Sequence, residues 1–241
     1  MTVSYDYKVL NSSQQTSFAQ EGEDIILCKL FCLGTNRVKR NGIYVDVGAH
    51  HPMRFSNTHL LSQRFGWTGV NIDPNPGFKA LFDKHRPADV NLQLAVSSTR
   101  GEAEFHLFDD PALNTFSREY VTEVLSWGSR TYLGTTRVRT DTLAGIFNDY
   151  VRGREVDLLT VDAEDHDYVV LASGDWQRHR PHVVLVESLG RDLDTIFEDP
   201  SYQLLREAGY RLYAKTCSTC IYRDQDWVRA FSASTPGETQ A

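Results

Sequence analysis

Apolar and polar residues along this chain form a pattern that switches repeatedly between short buried strands and helices. Apolar strand-like runs are predicted at 42–49, 68–77, 90–98, 156–164 and 182–188, and helical spacing of apolar residues follows most of them. Uniformly apolar strands between helices are typical of a parallel sheet that is covered on both faces. The pattern therefore predicts an α/β fold with a Rossmann-like, doubly wound and mostly parallel sheet.

Residues 1–241 are expected to form one domain, because no linker and no internal repeat interrupts the pattern. Residues 210–223 predict a C-terminal antiparallel hairpin. Three segments are expected outside the main sheet: an N-terminal helical region at 1–40, a less regular substrate-side insertion at 109–139 and a flexible polar tail at 233–241.

The charge balance narrows the classes of partner. The chain has 25 Lys+Arg against 32 Asp+Glu, a formal net charge of -7, which argues against a dedicated nucleic-acid-binding protein. No apolar run approaches the roughly 18 residues that a membrane span requires. The polar start of the chain has no signal-peptide core, so a cytoplasmic location is expected. Whether the protein forms a homo-oligomer is left open.

The ends of the first two strands carry residues suited to a nucleoside ligand. In an open α/β sheet, ligands bind beyond the carboxyl ends of the strands. Gly48 lets the backbone approach a ligand, and a side chain there is expected to block the ligand without preventing folding. The loop lacks the repeated glycines of a dinucleotide site. Asp73 can accept both ribose hydroxyls, so the layout favours S-adenosylmethionine (SAM) in a Rossmann-like methyltransferase.

Five segments within residues 17–190 carry a resemblance to a known family. They are SFAQEGEDIIL (17–27), YVDVGAHHPMRFSNTHLL (44–61), GVNIDPNPGFKALF (69–82), LAVSS (94–98) and LLTVDAEDHDYVVL (158–171). Together they resemble the FkbM family of SAM-dependent methyltransferases. The resemblance implies a class I methyltransferase fold, SAM as cofactor and O-methylation of a sugar, polyketide or other natural product. In one departure, Asp165 stands where the family usually has glycine.

The strand ends and the resemblance together nominate a set of cofactor-binding residues. The resemblance implies that Gln20 and Asp24 belong to a lid over SAM, and Asn57 is placed to meet the SAM carboxylate. Backbone groups at the end of the third strand are expected to contact the adenine. The full set is Gln20, Asp24, Asp46, Gly48, Ala49, His50, Asn57, Asp73, Asn75, Ala95 and Val96.

Candidate catalytic residues follow the two later strands. Asp162 and Glu187 end neighbouring strands about 4.8 Å apart, so their carboxylates are expected to converge. They would either bind Mg²⁺ or act as hydrogen-bond acceptors without a metal. His166, at the start of the next helix, is the first choice for general base, because a helix N-terminus lowers the pKa of histidine. The alternative is that His166 only caps or packs the helix.

The leading functional hypothesis is a SAM-dependent O-methyltransferase in carbohydrate modification. Its acceptor would be a hydroxyl of a sugar or glycosylated metabolite, either a small molecule or a glycan, with or without a divalent metal. One alternative is an NAD-dependent or sugar-nucleotide enzyme, which the single glycine of the first loop disfavours. Another is a non-catalytic SAM-fold module, which has no need of acidic residues at several strand ends.

Overall fold

A seven-stranded sheet lies at the centre of the molecule. The computed structural model describes residues 15–32 and 37–234. The strands, in chain order, are β1 (Ile43–Val47), β2 (Thr68–Ile72), β3 (Val90–Leu92), β4 (Ala95–Val96), β5 (Gly101–Phe108), β6 (Tyr132–Asp141), β7 (Leu158–Val161), β8 (Val183–Glu187), β9 (Tyr210–Lys215) and β10 (Thr219–Asp224).

Helices connect and cover these strands. They are α1 (Glu23–Leu30), α2 (His59–Phe65), α3 (Phe78–His85), α4 (Arg118–Ser126), α5 (Leu143–Ile146), α6 (Asp167–Ala172), α7 (Pro200–Glu207) and α8 (Gln225–Ser234). A π-helical turn over Phe147–Val151 continues α5, and 3₁₀ turns occupy Pro111–Leu113 and Ile196–Glu198. None of the helices in the described part of the chain has the length and apolarity of a bilayer span.

The strand order of the main sheet is β3-β2-β1-β7-β8-β10-β9. The first five strands of this order pair in parallel, whereas β10 runs antiparallel to both β8 and β9. This confirms the predicted fold, a Rossmann-like sheet of the class I methyltransferase type with a C-terminal antiparallel hairpin. The chain order reverses between β1 and β7, and the carboxyl ends of strands at such a reversal form the usual ligand crevice.

Both faces of the main sheet are buried, as the uniformly apolar strands indicated. On β1, Val45 packs with Val70 and Leu159 on one face. The preceding residue, Tyr44, points the other way and packs with Trp67 and Leu158. Successive side chains of a strand alternate between faces, so a strand covered on both sides is apolar at most of its positions.

A second, three-stranded sheet in the order β4-β6-β5 differs from the sequence expectation. The single strand predicted over 90–98 is wrong, because β3 joins the main sheet and β4 pairs with β6 instead. β6 is a ten-residue strand paired along β5, within and just beyond the predicted insertion at 109–139. Its side chains alternate between half-buried and exposed, so it lacks the apolar run that revealed the central strands.

Parts of the predicted terminal segments fall outside the described residues. Residues 1–14 and 33–36 of the expected helical region at 1–40 are among these, although α1 lies within that region. The expected tail at 233–241 overlaps the end of α8 at Ser234, and residues 235–241 lie outside the description. The division of the chain into these segments therefore stays a prediction.

Candidate active site

A cavity of about 660 Å³ opens at the carboxyl ends of β1, β2, β4, β7 and β8. The loop over residues 110–116, between β5 and α4, forms a further part of its wall. The volume is within the roughly 300–1,000 Å³ of small-molecule sites. Of the predicted site residues, these line the cavity: Gln20, Gly48, His50, Asp73, Asn75, Ala95, Val96, Asp162, His166 and Glu187.

Asp73 lies at one end of the cavity, which we call the cofactor end, with 4% of its surface exposed. Its two carboxylate oxygens accept backbone hydrogen bonds from His50 N at 2.9 Å and Asn75 N at 2.8 Å. Burial raises the pKa of Asp73, and these hydrogen bonds oppose the shift. A carboxylate has about four acceptor positions, so each oxygen keeps capacity for a ligand hydroxyl.

The packing of the protein itself requires a glycine at position 48. Its φ is 79°, and a Cβ built on it would lie 1.6 Å from the carbonyl oxygen of Asp162. The turn after β1 therefore packs directly on the end of β7. The expectation that a side chain at Gly48 would leave the fold intact is wrong, because the first atom it meets is backbone.

Four residues of the nominated cofactor set do not line the cavity. Asp24 accepts hydrogen bonds from Ser17 Oγ and Phe18 N, which close the turn before α1. The other three are tied to neighbouring elements: Asp46 accepts from Thr58 Oγ1, Asn57 donates to Thr160 Oγ1, and Ala49 N donates to the carbonyl of Ile72. Burial raises the pKa of Asp46 to about 7. These contacts assign the four residues a role in building the site's walls.

The opposite end of the cavity, the acidic end, holds three carboxylates: Asp162, Glu164 and Glu187. Parallel pairing of Val161 with Val186 sets Asp162 beside Glu187, as predicted. Burial and the Asp162 charge raise the pKa of Glu187, while burial and the Asp73 charge raise that of Asp162. Burial and neighbouring acids raise the pKa of Glu164 to about 7. Among the described residues, none donates a hydrogen bond to these three side chains.

Three protein ligands for a metal ion do not come together in the described part of the chain. No group of three His, Cys, Asp or Glu side chains in residues 15–32 and 37–234 is arranged to hold a metal ion. Asp162 and Glu187 contribute two oxygen-bearing groups on neighbouring strands. Because Mg²⁺ is often bound by one or two carboxylates together with water, the role of this pair as Mg²⁺ ligands stays a prediction.

His166 lines the cavity beside the acidic end. Its Nε2 lies 3.2 Å from Ser97 Oγ, which follows β4. Burial lowers the pKa of His166, so the ring is neutral at pH 7. The lowered pKa was expected from the helix N-terminus, and burial of the ring is a cause that the sequence did not reveal. A neutral imidazole can accept a proton, so His166 is a candidate general base in the cavity wall.

The turn that carries His166 is closed by the acids around it. Asp167 accepts a hydrogen bond from Ala163 N at 2.9 Å. Glu164 and Asp165 both adopt left-handed backbone, with φ of 50° and 67°. Asp165 thus keeps the conformation for which glycine is favoured, since aspartate tolerates it better than most residues. The departure at Asp165 therefore leaves the turn intact and adds a charge beside the site.

Several lining residues were missed from the sequence. Glu164 was not singled out, although it lies three residues beyond the end of β7 and could have been found that way. The others come from loops without a regular pattern: Arg54, Phe55, Thr115, Phe116 and Leu189. Phe116 lies 6.0 Å from the His166 ring, between ring centroids. These side chains form part of the cavity wall, so the shape of the cavity depends on loops that periodicity does not describe.

Comparison with known proteins adds a family. The model of the methyltransferase FkbM domain matches residues 46–212, well over half of the chain. The chain belongs to the FkbM methyltransferase family. The resemblance found in the sequence is thereby confirmed, and the match spans the strands that build the cavity from β1 to β8. No curated protein matches the chain.

Solved structures similar to this FkbM methyltransferase are distant ones. A TehB-like SAM-dependent methyltransferase from Corynebacterium glutamicum has 11% identity and a TM-score of 0.43, covering 91% of this chain and 94% of its own. Precorrin-6y C5,15-methyltransferase from Geobacter metallireducens has 10% identity and a TM-score of 0.41, covering 91% and 96%. At these values the likenesses carry no conclusion about substrate.

Proposed function

We propose that this FkbM methyltransferase transfers a methyl group from SAM to a hydroxyl of a sugar or glycosylated small molecule. One observation carries the proposal. A single cavity joins a buried, backbone-held carboxylate at the end of β2 to a neutral histidine and three carboxylates at the ends of β7 and β8. Such a cavity can hold a nucleoside at one end and a polar acceptor at the other.

At the cofactor end, Asp73 would accept the ribose hydroxyls of SAM. The backbone amides of His50 and Asn75 fix the carboxylate before any ligand arrives, so binding costs little reorganisation. SAM supplies an electrophilic methyl group on a sulfonium. The turn at Gly48 would lie beside the rest of the cofactor, where a glycine leaves the backbone accessible.

At the acidic end, the protein prepares the acceptor. A hydroxyl has a high pKa, so its attack requires removal of the proton in the transition state. His166 would take that proton as the acceptor oxygen forms its bond to the methyl carbon and the carbon–sulfur bond breaks. Asp162 and Glu187 would accept hydrogen bonds from neighbouring hydroxyls, which suits a polyol. Phe116 offers an apolar surface against the sugar ring.

The test of function is a transfer assay with methyl-labelled SAM and a panel of sugars, glycosylated metabolites and amines. Label is expected in hydroxyl-bearing acceptors, and its position is read by mass spectrometry. Asp226→Ala, at an exposed aspartate on α8, serves as a control that should keep wild-type rates. Label only in amines would contradict O-methylation, and binding of NAD in place of SAM would support the oxidoreductase alternative.

A separate arm addresses the metal. Activity is expected to persist after exhaustive treatment with EDTA, because the neutral His166 can accept the acceptor's proton without a metal ion. Loss of activity that Mg²⁺ or Mn²⁺ restores would contradict this and return Asp162 and Glu187 to the role of ligands.

A further inference from the structure

Side-chain amides join the two halves of the cavity wall. Asn114, in the loop between β5 and α4, donates from Nδ2 to Oδ1 of Asn75, which follows β2. Asn114 is 7% exposed, and both residues line the cavity. This hydrogen bond is therefore a direct link between the substrate-side loop and the turn at the cofactor end.

The direction of this link is fixed by the backbone. Phe108 N donates to Asn114 Oδ1 at 2.7 Å, and a backbone N–H can only donate. Asn114 must then donate from its Nδ2 to Asn75, and Asn75 must accept with its Oδ1. The orientation of both amides follows from this one obligatory donor, which settles the choice that amide side chains ordinarily leave open.

Asn75 passes the constraint on to Asp73. With its oxygen engaged by Asn114, its own Nδ2 is the donor that remains. The geometric link to Asp73 is the Asn75 backbone N–H, which donates to the carboxylate at 2.8 Å. Burial raises the pKa of Asp73, and a hydrogen bond from the Asn75 side chain is one of the causes that oppose this rise. The relay therefore runs from the Phe108 amide through two asparagines to the carboxylate at the cofactor end.

We propose that Asn114 is a positioning residue that orients Asn75 and, through it, the carboxylate of Asp73. The proposal rests on the proposed function, in which Asp73 accepts the ribose hydroxyls. It makes the loop over residues 110–116 part of the cofactor site, although that loop belongs to the second sheet's side of the cavity. Binding of the ribose is then coupled to the position of the loop over residues 110–116 in the cavity wall.

Asn114→Asp changes the shape of the side chain very little but reverses the direction of the hydrogen bond between residues 114 and 75. One oxygen of the new carboxylate can still accept from Phe108 N, but the other can only accept from Asn75. Asn75 would have to turn its amide over and present its oxygen to Asp73. Affinity for S-adenosylhomocysteine (SAH), measured by calorimetry at pH 8, is expected to fall about tenfold, the effect of one hydrogen bond to a charged group. Asn148→Asp, at an exposed asparagine, controls for the added charge.

Low pH supplies a rescue that a merely structural role would not show. Burial raises the pKa of a carboxyl without a cation beside it. Once protonated, the introduced group can donate to Asn75 while still accepting from Phe108 N, which restores the pattern of asparagine. The ratio of variant to wild-type Kd is therefore expected to fall to within about threefold at pH 5. A ratio that is the same at both pH values overturns the proposal.

A double-mutant cycle separates positioning from direct contact. Asn75→Ala cuts the same relay, so adding Asn114→Asp to it is expected to cost no further SAH affinity. Additive losses would mean that Asn114 contacts the ligand independently, which overturns the proposal. Should Asn114→Asp fail to fold, Asn114→Ala takes its place in the cycle. Wild-type protein that binds no SAH would overturn the proposed function as well, whereas wild-type binding with unchanged affinity in the variant overturns this inference alone.

Discussion

The two ends of the cavity hold carboxylates in opposite ways. At the cofactor end, Asp73 is buried and each of its oxygens accepts a backbone N–H. At the acidic end, burial raises the pKa of Asp162, Glu164 and Glu187, the Asp162 charge adds to the rise at the two glutamates, and the described residues donate no hydrogen bond to these side chains. One end is organised before a ligand binds, and the other retains unused acceptor capacity. From this contrast we expect the invariant ribose of SAM at the cofactor end and the variable acceptor at the acidic end.

A substitution at Gly48 is expected to disrupt both ends of the cavity, because the turn after β1 packs on the end of β7. Gly48→Val places a side chain against the Asp162 carbonyl, in a backbone conformation that valine strongly disfavours. We expect a loss of roughly 4 kcal/mol or more in the free energy of unfolding. Thermal and urea unfolding measure it, and Gly77→Val, also at positive φ but with open space around its Cβ, isolates the clash. Equal stabilities for the two variants would show that the contact with Asp162 costs nothing.

His166 tests the acidic end alone. His166→Ala is expected to lower the rate by about 10²–10⁴-fold, the range for a general base. SAH affinity should stay at the wild-type level, because Asp73 and its backbone donors are untouched. Single-turnover rates and calorimetry measure the two quantities. Ser97→Ala, which removes only the hydroxyl near Nε2, should cost less. A rate within a few fold of wild type for His166→Ala would move the base to Asp165, Asp167 or Glu187.

Asp73 tests the cofactor end alone. Asp73→Ala leaves the amides of His50 and Asn75 without their acceptor and the ribose hydroxyls without a partner. SAM affinity is expected to fall by about 1–3 kcal/mol, or roughly 5- to 150-fold in Kd. Calorimetry measures the change, with Asp226→Ala as the matched control. Unchanged affinity would show that the ribose does not bind at the end of β2.

The same contrast explains how much of the molecule the sequence could predict. The strands that carry Gly48, Asp73, Asp162 and Glu187 are apolar runs, and parallel pairing brings their carboxyl ends together whatever the loops do. The sequence was therefore sufficient to predict Asp73 at the cofactor end and the pair Asp162 and Glu187 at the acidic end. Asp46 does not line the cavity, whereas the next residue, Val47, does, because successive side chains of a strand point to opposite faces.

The region of the cavity where we propose that the acceptor binds could not be predicted from the sequence, for a different physical reason. Its wall comes from the loop over residues 110–116, placed by pairing between β5 and the half-exposed strand β6. Neither strand has a continuous apolar face, so neither stands out from loop sequence. Asn114 illustrates this: its role depends on a backbone donor six residues earlier and on an asparagine after β2, and no periodicity connects these positions.

The smallest expected effect concerns the proton that Glu164 holds at the acidic end. Partial desolvation by the cavity wall and the charges of neighbouring acids raise the pKa of Glu164 from its ordinary value of 4.5 to about 7. Between those pH values the folded protein holds a proton that the unfolded chain has released, so the group's contribution to stability is complete below pH 4.5 and is lost as the pH rises through 7. Glu164→Gln, which cannot ionise, should therefore flatten the decline in thermal midpoint between pH 5 and pH 8. The change will be slight because the side chain is open to solvent in the cavity. Glu207→Gln, at the exposed end of α7, should leave the decline as it is in the wild type. If the Glu164 and Glu207 variants give the same profile, the acidic end holds no such proton, and its contrast with the cofactor end lies in hydrogen bonding alone.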